Sequence, residues 1–167
     1  FAARSRARVP DGVPLELGAG DRPLLPLATD TEAELNAFSA DGLVYRVRVA
    51  EVPIEQRTTR GARPATLPRG ARLAGICPVV PDGGHVLLVT ARGEVKRCEA
   101  AVYAQSHSGG SPAYDVPPGD ELVAVVPHGA GDEALLHAAS GKTLRIALDA
   151  IRPVKSPAAG GVAGMRL

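Results

Sequence analysis

The stretch EALLHAASGKTLRIALDAIRP (133–153) is the one on which the fold turns. Its centre, SGKT (140–143), invites comparison with the phosphate-cradling loop G-x-x-x-x-G-K-[ST]. There the first glycine turns backbone N–H groups onto phosphates, while the lysine and hydroxyl serve phosphate and magnesium. Counting back from Gly141, the place that must be glycine holds Leu136. Such a loop must also open a long helix whose positive end holds the anion. The following TLRIALDAIRP is too short before Pro153, and too rich in β-branched residues, to provide one.

Internal repetition explains the stretch instead. AELNAFSADGLVYRVRVAEVP (33–53) and GHVLLVTARGEVKRCEAAVYA (84–104) match it when Gly42, Gly93 and Gly141 coincide, with periods of 51 and 48 residues. Arg46, Arg97 and Arg145 then coincide too, each four residues after its glycine. Upstream, LLPLATD from Leu24, LAGICPVVPDG from Leu73 and LVAVVPHGAGD from Leu122 form a second register of apolar runs closed by turn residues. Each unit reads as a strand, a polar turn, a second strand, a two-residue turn at x-Gly and a third strand. Asp41-Gly42, Arg92-Gly93 and Ser140-Gly141 are the expected hairpin turns, glycine supplying the positive φ that tight turns need. Alternation supports the strands: in GLVYRVRV, Leu43, Tyr45, Val47 and Val49 share one face and Val44, Arg46 and Arg48 the other.

Three repeats of roughly 50 residues, each of three or four strands, predict an all-β, propeller-like fold, because one small sheet cannot bury its own face. The units run over 20–66, 67–116 and 117–167. Residues 1–19 read as the tail of a preceding unit, since DGVPLEL resembles the terminal GGVAGMRL, and the start at Phe1 makes the chain read as a piece of a longer array. Composition agrees: 19 glycines and 15 prolines spread along 167 residues favour short strands and turns over long helices. No apolar run approaches the ~18 residues of a membrane span. Cys77 and Cys98, in apolar runs and without C-x-x-C spacing, read as small buried side chains of a reduced compartment, one disulfide being the alternative. His85, His107, His128 and His137 lack the paired spacing of a zinc site, so no metal is expected.

Two stretches imitate catalytic motifs. SHSGGSPA (106–113) approaches the G-x-S-x-G nucleophile elbow, but Ala113 replaces the last glycine, and Pro112, Pro117 and Pro118 oppose the helix that must follow. HGAGD (128–132) brings His128 near Asp132 but occupies the turn that PDGG fills in the preceding unit. No catalytic residue is expected.

The net charge of +1 says little as a total. By segment it is −3 over 1–41, +5 over 42–100, −5 over 101–140 and +4 over 141–167. Positive charge gathers in the hairpins and the loops after them: Arg46 and Arg48, then Arg57, Arg60 and Arg63 at three-residue intervals, then Lys96 with Arg97, Lys142 with Arg145, and Arg152 with Lys155. Phosphate contact needs only a cation on a reachable surface, and the arginine fork suits phosphate oxygens. The alternative is a set of solvated strand faces with cross-strand ion pairs. Five aromatic residues are too few for a single-strand binder that stacks bases, and no recognition helix is apparent.

In order and spacing, DGLVYRVRVAEVP, RTTRGARP, LLVTARGEVKR and GDELVAVVPHGAGDEALLHAASGKTLRIALDAIRPV running into GGVAGMRL resemble the C-terminal domain of the A subunit of bacterial type IIA topoisomerases, DNA gyrase and topoisomerase IV. The resemblance covers 20–167. It implies a β-pinwheel, here of about three blades, whose neighbours exchange strands and whose basic rim contacts the phosphate backbone of duplex DNA, bending or wrapping it. It implies no cofactor in this chain. Its partners are then the B subunit, which hydrolyses ATP, with the rest of the A subunit, which cleaves the strands. It also implies a cytoplasmic, nucleoid-associated location. One departure matters: where the gyrase members of the family carry a box close to Q-R-R-G-G-R-G, this chain has AARSRARVPDG, with Arg4, Arg6 and Arg8 but neither the glutamine nor the paired glycines. That favours a topoisomerase IV-like parent over a supercoiling gyrase. The rival expectation, motivated by the acidic block 101–140, is a degenerate pinwheel serving as a protein interaction module.

Overall fold

The structure, a computed structural model, describes residues 27–55, 61–64, 66–79 and 83–166. Among these described residues the regular structure is ten strands and three short 3-10 turns. The three Gly-centred stretches form antiparallel hairpins: β1 (Glu34–Ser39) with β2 (Leu43–Arg48), β4 (His85–Thr90) with β5 (Glu94–Glu99), and β8 (Glu133–His137) with β9 (Thr143–Ala147). Each ends in a 3-10 turn, Val49–Glu51, Ala100–Tyr103 or Leu148–Ala150. An all-β architecture of repeated antiparallel sheets is therefore observed.

The hairpin turns are longer than the two residues expected. Gly42, Gly93 and Gly141 have φ of 87°, 85° and 83°, but no non-glycine described residue has positive φ, so the two-residue type that needs positive φ at both centres is excluded. Instead each glycine N–H closes a four-residue turn onto the carbonyl three residues back: Ser39 at 3.0 Å, Thr90 at 3.0 Å and Ala138 at 2.9 Å. In the first two hairpins a hydroxyl reinforces the turn, Ser39 Oγ accepting from Leu43 N–H and Thr90 Oγ1 from Glu94 N–H, both at 3.2 Å. Ala138 removes that hydroxyl from the third. Thr143 after SGKT begins β9, a strand rather than the helix that a phosphate loop requires.

The sheets cut across the sequence repeats. β3 (Leu73–Pro78), which opens the second repeat, pairs with β1 of the first; β7 (Leu122–His128), which opens the third, pairs with β4 of the second. Both pairings carry a register shift at the same place, Phe38/Ser39 and Val89/Thr90. On the outer side, β6 (Ser111–Pro112) joins β2 and β10 (Val162–Ala163) joins β5. The result is two four-stranded sheets, β3-β1-β2-β6 and β10-β5-β4-β7, and a two-stranded third, β8-β9. Of the apolar run from Leu24, the described part, Leu27–Asp30, forms no strand.

Exchange of strands lets both faces of the two four-stranded sheets be buried, so simple inside-outside alternation is lost there and persists only in β8 and β9. Val44, expected on the polar face, packs with Phe38, Ala74, Cys77, Val86, Leu88 and Cys98 in the core between the first two sheets. Tyr45 and Val47 pack on the opposite face with Ala37 and Leu67. A third cluster, Leu87, Val95 and Leu148 with Ala134 and Leu136, joins the second sheet to the third hairpin. Phe38 and Tyr103 meet edge to face at 5.1 Å between ring centres. Cys77 and Cys98 are free, buried thiols, as the apolar context predicts; burial pushes the Cys77 thiol up to about 11.

Candidate nucleic-acid interface

The basic residues singled out in the sequence fall into two groups with different physics. Lys96 and Arg97 stand side by side on β5, yet neither is available to a phosphate. Lys96 is 1% exposed. Its ammonium donates to the carbonyls of Ala113 at 2.7 Å, Pro157 at 2.6 Å and Ala159 at 2.8 Å, and lies 5.0 Å from the centre of the Tyr114 ring. Burial holds its pKa below the ordinary lysine value. Three acceptors saturate its three donors, so the charge is spent inside the protein, pinning the C-terminal return segment to β5.

Arg97 has a side chain 6% exposed. It donates to Asp149 Oδ1 at 2.7 Å and to the Ile151 carbonyl at 3.2 Å. Arg46, its counterpart in the first repeat, pairs with Glu34 and donates to the Ala104 carbonyl at 2.5 Å. Ala104 and Ile151 both close the 3-10 turn of the following repeat. The recurring arginine is thus a tie from one repeat to the next, and the reading of Arg46, Lys96 and Arg97 as a phosphate-contacting rim is corrected on that ground. In the third repeat the tie has no receiver among the described residues. Arg145 is 70% exposed there and meets only Glu133, at 2.7 Å from Nε.

The second group is exposed. Arg48 ends β2, 66% exposed, with Glu34 at 3.6 Å and Glu51 at 3.9 Å. Arg63 is exposed and donates to the Pro68 carbonyl at 2.8 Å. Lys142 follows Gly141 at the tip of the third hairpin. Arg152 and Lys155 flank Val154, whose N–H donates to the Arg97 carbonyl at 2.8 Å and holds this basic segment along β5, on the outer side of the second sheet. Arg57 and Arg60, and with them most of the three-arginine loop, lie outside the described residues, as do Arg4, Arg6 and Arg8.

Four exposed cations among the described residues were missed by the sequence reading: Arg69, Arg72, Arg92 and Arg166. Arg92 precedes Gly93 at a hairpin tip, its N–H donating to Asp120 Oδ1 at 3.1 Å, and Arg72 pairs with Glu121. For Arg69 and Arg92 the signal was present in the x of an x-Gly turn, while Arg72 and Arg166 lie outside such turns and had no such mark.

His85 and His128 stack at 5.5 Å between ring centres, facing each other across β4 and β7. Burial, then Arg97 and His128, lower the pKa of His85. Among the described residues no cluster of His, Cys, Asp or Glu could hold a metal ion, and no helix is long and apolar enough to cross a membrane. Ser111 of the look-alike nucleophile motif sits in β6, paired with Val44.

Comparison with known proteins gives this geometry its family. Residues 36–73 and 84–128 match the model of the DNA gyrase C-terminal domain, beta-propeller. The DNA gyrase A protein of Salmonella typhimurium is 33% identical over 147 residues, 84% of this chain and 16% of that protein. Its counterpart in Mycolicibacterium smegmatis is 35% identical over 136 residues, 77% of this chain and 16% of that protein. Among solved structures, the C-terminal domain of DNA topoisomerase IV superposes with a TM-score of 0.73 at 26% identity, covering 92% of this chain and 49% of that one. A DNA gyrase A C-terminal domain gives 0.64 at 17% identity, covering 83% and 45%, and shares the fold. The chain belongs to the family of C-terminal β-pinwheel domains of type IIA topoisomerases, the family of the DNA gyrase A and topoisomerase IV domains. It spans about a sixth of the length of the curated relatives it matches.

Proposed function

We propose that this chain is a non-catalytic domain that binds duplex DNA through its phosphate backbone and bends or wraps it for a type II topoisomerase. The observation that carries the reading is the division of basic side chains within a fold of this family. Arg46 and Arg97 tie the repeats together and Lys96 holds the C-terminal segment, which leaves Arg48, Arg63, Arg69, Arg72, Arg92, Lys142, Arg145, Arg152, Lys155 and Arg166 as exposed cations to offer phosphate, to which the reading adds Arg57 and Arg60. Bending a few tens of base pairs costs on the order of 1–6 kcal/mol, which several such contacts must offset. The acidic neighbours Glu34, Glu51 and Glu133 compete with DNA for Arg48 and Arg145, so binding is weak, few phosphates are neutralised and the salt slope, though measurable, is small.

The parent we favour is topoisomerase IV-like, because AARSRARVPDG stands where a gyrase box is expected; the superposition on a topoisomerase IV domain supports it, while the relatives compared by sequence are gyrases. Its partners are then the ATPase B subunit with the rest of the A subunit, while its place is the nucleoid. Nicked plasmid resealed in the presence of the chain tests this. Bending without wrapping leaves the linking number unchanged, whereas a wrapping gyrase-type domain shifts it.

A second reading, a protein interaction module, draws on the same ion pairs, which neutralise part of the rim. It predicts contacts indifferent to salt.

A further inference from the structure

We infer that the joint between the second and third repeats is a proton-operated latch: it is closed while Arg97 can donate to a bare ring nitrogen of His85, and it opens when that nitrogen takes up a proton. The joint between the first and second repeats shows the contrast. There Arg46 donates from Nε to Ser106 Oγ at 3.4 Å, pairs with Glu34 and reaches the Ala104 carbonyl. In the second repeat His85 takes the place of Glu34, twelve residues before the arginine and at the same level of its hairpin, Glu34 standing opposite Arg48 and His85 opposite Glu99. No counterpart of Ser106 serves the second arginine: Arg97 Nε is buried without a hydrogen-bond partner among the described residues. An imidazole thus replaces a carboxylate in the less well satisfied of the two joints.

The hydrogen bonds fix where the ring protons are. Arg97 Nη2 lies 3.5 Å from His85 Nδ1. A guanidinium can only donate, so Nδ1 is the bare nitrogen and the ring is neutral with its proton on Nε2. The stacked ring of His128 is set the other way. Its Nδ1 lies 2.9 Å from the Gly129 carbonyl, which can only accept, so Nδ1 carries the proton there. His128 Nε2 is buried and has no partner among the described residues. With ring centres 5.5 Å apart and planes 19° apart, His128 gives His85 a ring face and no anionic acceptor.

A proton on His85 Nδ1 turns the acceptor into a second donor and sets one cation against another. The charged groups around the ring are Arg97 and Glu99 on β5, His128 on β7 and Asp149 in the 3-10 turn of the third repeat; Asp82 lies outside the described residues. Glu99 and Asp149 favour the proton, while burial, Arg97 and His128 oppose it and prevail, so the closed joint holds the ring below the ordinary imidazole value. An opened joint returns it to that value, about 6.5, so the closed form is fully favoured above about 6.5 and loses ground as pH falls from there. That range is clear of the one in which Asp149 titrates. A displaced Arg97 gives up Asp149 and the Ile151 carbonyl, the two contacts its side chain makes in the third repeat. The segment beyond, tied to β5 through Val154 N–H, carries Arg152 and Lys155. Any consequence for DNA rests on the proposed function; the latch does not.

The test is made on the whole chain without DNA. Hydrogen-exchange protection factors are measured on either side of the ordinary imidazole value, at about pH 7.5 and about pH 5.5. Val154 and Gly131 report the joint, since their N–H groups donate to the Arg97 carbonyl and to Asp149 Oδ2. Their protection is expected to fall by about tenfold at the lower pH, the effect of one proton held off over one pH unit, while Leu87 and Leu88 in the middle of β4 keep theirs. His85→Gln, which offers Arg97 a neutral acceptor at every pH, is expected to abolish the fall. Ring nitrogen-15 spectra of the unaltered chain give a second measurement: His85 protonated on Nε2 at the higher pH, with a titration midpoint below about 6.5. The inference is overturned if protection at Val154 and Gly131 is the same at both pH values, or if it falls as far in His85→Gln. It is overturned equally if Leu87 and Leu88 lose protection in parallel, since the whole fold then loosens, or if the His85 ring carries its proton on Nδ1.

Discussion

Arg97 donates to Asp149 Oδ1 at 2.7 Å, joining β5 of the second repeat to the 3-10 turn of the third. The arginine is buried and the carboxylate half exposed, so removing the guanidinium leaves its acceptors to water while opening a void beneath them. Arg97→Met is expected to destabilise the chain by roughly 2–3 kcal/mol in urea unfolding.

The same pair gives an acid dependence. The Gly131 N–H, against some burial, and then Arg97 hold the Asp149 carboxyl below the ordinary carboxylate range. A carboxyl whose folded pKa is depressed contributes stability that is complete above its unfolded value, about 4, and is lost as pH falls through the folded one. Asp149→Asn therefore flattens the loss of stability below about pH 4. Unfolding midpoints of both proteins between pH 3 and 6 check this.

Lys96→Met deprives the carbonyls of Ala113, Pro157 and Ala159 of their shared donor. A loss of about 3 kcal/mol follows, together with faster proteolysis in 156–163, the segment Lys96 pins. Retained protease resistance at wild-type stability contradicts the assignment.

The two outer hairpin glycines separate conformation from contact. Gly141 has positive φ and nothing within 4 Å of an added Cβ, so Gly141→Ala costs only backbone strain, about 1–2 kcal/mol. At Gly42 an added Cβ would stand 2.2 Å from the Tyr114 carbonyl oxygen, so Gly42→Ala costs distinctly more. Thermal unfolding of the two variants must rank them in that order.

The repeats, their hairpins and the pinwheel class were legible because Gly42, Gly93 and Gly141 recur with an arginine four residues on. Which strand pairs with which was not. A run such as LAGICPVVPDGGHVLLVT looks like one hairpin, while β3 and β4 belong to different sheets, a non-local choice that alternation does not encode. The buried cations were misread for a related reason. Arginine and lysine are ordinarily surface residues, and no local pattern announces that three carbonyls from 113 and 157–159 converge on Lys96. One clue was available: Glu34, His85 and Glu133 each stand twelve residues before the repeated arginine. A partner at fixed spacing marks an intramolecular tie. The turn length was lost because x-Gly at a tip suits both a two-residue turn and the longer turn observed.

Fluorescence anisotropy of the chain with labelled linear duplexes of increasing length, titrated over a salt series, tests the central claim most directly. Binding is expected to tighten with duplex length and to fall with log salt at a slope of about −0.9 per neutralised phosphate. Replacing Arg48, Lys142, Arg152 and Lys155 with alanine should then flatten that slope and leave stability within about 0.5 kcal/mol, whereas Lys96→Met should lower stability and leave the slope alone. A folded chain that ignores duplex DNA at low salt, or whose salt slope survives loss of those four cations, contradicts the account.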